Sequence, residues 1–74
     1  HRAEREQQVL SALGEGLATV DAITSRIYVN LAPALTPMAR ESVLAHLVKL
    51  EAEGRVLSVE GSWSIVQRRV GSHG

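Results

Sequence analysis

Cysteine is absent from these 74 residues, and with it go disulfides and thiolate metal sites as sources of stability. The absence fits a reducing compartment, so the expected location is cytoplasmic. Charge of one sign is missing too: seven arginines and one lysine balance eight Asp and Glu, for a formal net charge of 0. A dedicated nucleic-acid binder carries surplus Lys and Arg to neutralise phosphates, so that class is disfavoured for the chain as a whole. No apolar run approaches the roughly 20 residues needed to cross a bilayer, which argues against a membrane partner. No basic leader followed by an apolar stretch opens the chain, and His1 stands where an initiating Met would be. The expectation is a piece of a longer protein with no visible export signal.

What is present suffices for one core. Arg2 to Leu13 has helical spacing, with Val9, Leu10 and Leu13 on one side. Its first two turns (Arg2, Glu4, Arg5, Glu6, Gln7, Gln8) offer almost no core and are expected to reach away towards a preceding segment. Gly14-Glu15-Gly16 ends the helix, with either glycine available for a left-handed cap. Thr19 then reads as the N-cap of a short helix whose apolar face is Val20, Ile23 and Ile27, with Tyr28 at the flank and Asp21 at the positive end of the dipole. A connector from Asn30 to Leu35 is expected to anchor through Leu31 and Leu35, and Pro33 keeps the second and third helices separate.

Thr36-Pro37 reads as N-cap and first helical residue. The third helix is expected over about 37–53, stopping at Gly54, with Ala39, Val43, His46, Leu47 and Leu50 inward within about 100° of the wheel. Beyond Gly54 the period changes to two. Val56-Leu57-Ser58-Val59 and Trp63-Ser64-Ile65-Val66 flank Glu60-Gly61-Ser62 and read as an antiparallel hairpin, with Trp63 and Ile65 facing the helices. Three helices and a hairpin that needs them underneath make an α+β winged helix, expected over 1–70 with a flexible tail at 71–74. The expected core is Val9, Leu10, Leu13, Val20, Ile23, Ile27, Ala39, Val43, Leu47, Leu50, Val56, Trp63 and Ile65.

Several runs of residues carry a resemblance to a known family. They are Thr19-Val20-Asp21-Ala22-Ile23, Ile27-Tyr28, Leu35-Thr36-Pro37-Met38-Ala39 and, above all, Val43 through Val56 with its Ala45-His46-Leu47, Lys49-Leu50-Glu51 and Glu53-Gly54-Arg55-Val56. Together they resemble the C-terminal winged-helix domain attached to metallo-β-lactamase-fold hydrolases, over about residues 1–66. The opening His1-Arg2, Arg5-Glu6 and Val9-Leu10 resemble the helix that leaves the catalytic domain in that family. The resemblance implies a preceding hydrolase domain with two zinc or other divalent metal ions, and relatives that include an endoribonuclease acting on single-stranded RNA. It carries no activity and no cofactor to the residues of this chain.

The residues themselves offer no chemistry. His1, His46 and His73 lack the spacing of a metal site, and the serines lack a His–carboxylate context or a nucleophile elbow. His46 is expected as a satisfied imidazole at the edge of the core; if relatives keep a polar ring there, the resemblance implies a bond to a backbone carbonyl near the wing. The outward side of the third helix, where a DNA reader offers Arg, Lys, Asn or Gln, has Glu41, Leu44, Ala45, Val48 and Ala52. Leu44, Ala45, Val48 and Ala52 are therefore the candidate protein interface, towards the catalytic domain or another subunit, including a homodimer. The alternative is nucleic-acid contact, RNA more than DNA, with Arg55, Arg68 and Arg69 as candidate phosphate contacts.

Overall fold

The computed structural model describes residues 2–66. Helix α1 spans Arg2–Gly14, α2 Val20–Ile27 and α3 Thr36–Ala52, with a 3-10 turn at Pro33–Leu35; strands β1 (Val56–Val59) and β2 (Ser62–Ile65) follow. The expected tail at 71–74, with Gln67, Arg68, Arg69 and Val70, lies outside the described residues.

One device ends both long helices. Gly16 (φ 99°) follows α1; its N–H donates to Leu13 O at 3.0 Å, and Leu17 N–H donates to Ala12 O at 3.2 Å. Gly54 (φ 76°) repeats the pattern after α3, with Gly54 N–H on Glu51 O and Arg55 N–H on Leu50 O, both at 2.9 Å. This paired bonding with a left-handed residue is the Schellman motif, which glycine enters without a Cβ penalty. It makes Gly16, not Gly14, the left-handed cap. Leu17 then turns back onto the core, as the motif's hydrophobic contact requires.

Thr19 caps α2 as expected: its backbone is extended and Oγ1 accepts from Ala22 N–H at 3.1 Å. Thr36 does not cap α3. The 3-10 turn runs straight into the helix, so Thr36 is already helical (φ −58°, ψ −44°) and donates its N–H to Pro33 O. Leu35 takes the cap position without a side-chain bond. Pro37 still fits, because a second-position N–H has no intrahelical acceptor to lose. Leu35 is not the expected anchor either: the turn leaves it 48% exposed, while Leu31 is half-buried.

The hairpin turns on two residues, Glu60 (φ 51°) and Gly61 (φ 83°), the type I′ geometry whose twist matches the strands. Ser62, expected in the turn, belongs to β2 and pairs with Val59; Leu57 pairs with Ser64, Ser58 with Trp63 and Val56 with Ile65. The opposite edge of β2 meets the loop between α1 and α2, where Trp63 N–H donates to Ala18 O at 2.7 Å.

Val9, Ala12, Leu13, Ile23, Val43, Leu47, Leu50, Val56 and Trp63 form the core, and Ala39 is also buried. Leu10, Val20, Ile27 and Ile65, expected inside, are half-buried and pack against its rim. Ala12 and Thr24 are buried without having been expected. Thr24 is accommodated because its Oγ1 donates to Val20 O at 2.7 Å, which satisfies its hydroxyl donor inside the core.

Candidate functional site

Helix α3 is apolar on two sides. Ala39, Val43, Leu47 and Leu50 face the core. Across the wheel, Leu44 is 42% exposed, Val48 51% and Met38 69%, with Ala45 and Ala52 also exposed. A surface helix ordinarily sets polar residues opposite its core stripe, and a helix apolar all round is ordinarily covered on both sides. The four residues expected to form an interface lie together on this face. Met38 was missed, although its position seven residues before Ala45 puts it on the same line of the helix.

Glu41 sits within the apolar surface. Its helical neighbours three and four residues away are Pro37, Met38, Leu44 and Ala45, none of which offers it a charge. Among the described residues no ion pair or hydrogen bond reaches its carboxylate. The cations of α3 are engaged elsewhere: Arg40 pairs with Asp21 of α2, and Lys49 donates to Glu6 of α1 and lies 3.3 Å from Glu53.

The Glu6–Lys49 contact corrects the expectation for α1. Its early turns do not simply reach away. The Glu6 side chain is largely covered, and the hydrogen bond from Lys49 holds its carboxyl below the ordinary carboxylate range against the opposing effect of burial. The same bond, followed by that to Glu53, raises the Lys49 ammonium above its ordinary value. Arg5 lies 4.7 Å from the centre of the Tyr28 ring, a cation–π contact with the end of α2. His46 sits at the core edge, but its Nδ1 faces Glu6 Oε2 at 4.0 Å; among the described residues no hydrogen bond joins it to the wing.

Arg26 of α2 grips Glu15 bidentately at 2.9 and 3.0 Å, lowering the Glu15 carboxyl and raising the guanidinium. That pair borders an open groove of about 620 Å³ between α1 and α2. Among the described residues no three His, Cys, Asp or Glu converge as metal ligands, and no helix is long and apolar enough to cross a membrane.

Of the candidate phosphate contacts, Arg55 is exposed beside a carboxylate, its Nη1 4.0 Å from Glu53 Oε1. Arg68 and Arg69 lie outside the described residues. Glu51, further along α3, accepts from Ser58 Oγ at 3.2 Å, and Glu60 stands exposed at the wing tip. The surface that a DNA-reading winged helix turns to phosphates is here apolar and acidic.

Three helices followed by an antiparallel hairpin that returns to the loop after α1 make the molecule a winged-helix domain. Residues 19–63, from the Thr19 cap to Trp63, match the model of the β-lactamase-associated winged-helix domain, and the chain belongs to that family. Helix α1 precedes the matched region. No solved structure matches the chain.

Proposed function

We propose that this domain is a non-catalytic accessory of a metallo-β-lactamase-fold, metal-dependent hydrolase, and that it packs against the catalytic domain or another subunit. One observation carries the reading: α3 presents a second apolar face, Met38, Leu44, Ala45, Val48 and Ala52, that the described residues leave exposed. Covering such a face removes apolar area from water at roughly 25 cal/mol per Å². The alanines permit close approach, and Leu44 and Val48 supply the larger contact area. The two divalent metal ions belong, in this reading, to the catalytic domain.

The surface favours a protein over a nucleic acid as its occupant. Arg40 and Lys49 are already paired, while Glu41 and Glu60 are turned outwards. The test is the double substitution Leu44→Ser with Val48→Ser in this domain, produced apart from the catalytic domain. Docking measured between separately produced domains should weaken at least about tenfold, the loss of one or two exposed aliphatic anchors. The thermal midpoint of this domain alone should change little. Unchanged docking with the double variant overturns the reading.

A further inference from the structure

Met38 carries the only sulfur atom in these 74 residues, since cysteine is absent and no second methionine occurs. It begins the outward apolar line of α3 and is 69% exposed, with Leu35, three residues before it, also exposed. The indole of Trp63 is buried, so an oxidant meets the Met38 thioether before it meets the core. A thioether is a pliable apolar group, whereas its sulfoxide is polar and chiral. With hydrogen peroxide the sulfur attacks one oxygen: an S–O bond forms as the O–O bond breaks. The other oxygen leaves as water with both protons, and the sulfur gives up two electrons to the peroxide.

From this placement we propose that Met38 is a reversible oxidation site that controls docking through the outward face of α3. The inference rests on the docking surface proposed above and adds its regulation. As a thioether, Met38 extends the apolar area of Leu44, Ala45, Val48 and Ala52 towards the start of the helix. As a sulfoxide it sets a strong hydrogen-bond acceptor into that area. Covering the oxidised face strips water from the new oxygen, a cost that covering the thioether does not carry. The change is confined to one atom, and reductases that act on methionine sulfoxide reverse it.

The experiment oxidises this domain alone with hydrogen peroxide, removes the peroxide, and measures docking to the separately produced catalytic domain. Mass spectrometry should find a single added oxygen, and peptide mapping should place it on Met38. Docking should weaken at least about fivefold, the cost of burying a polar group, and should return after treatment with the two methionine sulfoxide reductases, one for each epimer. The thermal midpoint should stay as it was, because Met38 lies outside the core. Met38→Leu keeps an apolar side chain of similar volume, and docking of that variant should be the same before and after peroxide. Undiminished docking of the oxidised domain overturns the oxidation switch and leaves the docking surface standing. So does an equal loss on peroxide treatment in Met38→Leu, which assigns the effect to another residue. Absence of docking before any treatment removes the surface and the switch together.

Discussion

The backbone N–H of Trp63 donates to the carbonyl of Ala18 at 2.7 Å, which fastens the second wing strand to the loop between α1 and α2. Ser58 lies across the sheet from Trp63 and cannot accept that N–H, because bonds in an antiparallel pair alternate in direction. The wing is thus tied at its outer edge by main chain and beneath by the buried indole. Amide hydrogen exchange should find Trp63 among the slowly exchanging residues and Ile65 faster. Ile65 lies on the same edge and has no such acceptor among the described residues. Trp63→Ala should cost roughly 3–5 kcal/mol, comparable to the whole stability of a small domain, and leave the chain largely unfolded by circular dichroism.

Two threonines one helix apart should respond differently to the same change. Thr19→Ala removes a side-chain acceptor from Ala22 N–H and should lower stability by about 1 kcal/mol. Thr36→Ala removes no cap bond, since Thr36 is already inside the helix, and should be close to neutral. Denaturant titration of both variants checks the pair. Equal losses would refute the continuous entry from the 3-10 turn into α3.

Glu60 holds a left-handed conformation that suits asparagine better than glutamate. Glu60→Asn creates the Asn-Gly dipeptide preferred in type I′ turns and should add roughly 0.5–1 kcal/mol. For a domain of this size that corresponds to a rise of about 2–8 °C in melting temperature. A fall in melting temperature contradicts the turn.

Glu6 makes the domain sensitive to acid. Its folded carboxyl is held below the ordinary value, chiefly by the bond from Lys49. Above the unfolded value both states are ionised and the contribution is full; it is lost as pH falls through the lower, folded value. Stability measured against pH should therefore drop on the acid side of the ordinary carboxylate range. Glu6→Gln should flatten part of that limb, and Glu15→Gln should do likewise through the loss of Arg26. An unchanged acid limb in both variants would count against the two ion pairs.

Much of this was legible from periodicity. Val43, Leu47 and Leu50 on one side of α3, and Trp63 with Ile65 on one face of β2, follow from spacings of 3.6 and 2. Local rules failed where non-local partners decide. Thr36-Pro37 carries a strong start signal, yet Pro33 begins a turn of its own and the two run together. Glu6 reads as solvent-facing from its neighbours, and only α3 brings Lys49 to it. Ala18 shows no strand pattern at all; its role is that of one carbonyl. The exposed face of α3 was partly visible through Leu44 and Val48. Met38 escaped because a residue beside a helix start is ordinarily assigned to the cap rather than to a face.

The coupling of Arg5 to Tyr28 and of Glu6 to Lys49 gives α1 a mechanical role. The first two turns of α1 are thereby fastened to the end of α2 and to the last turn of α3, the helix that bears the apolar face. A segment joined to the start of α1 would bear on that face through these two contacts rather than through a loose arm.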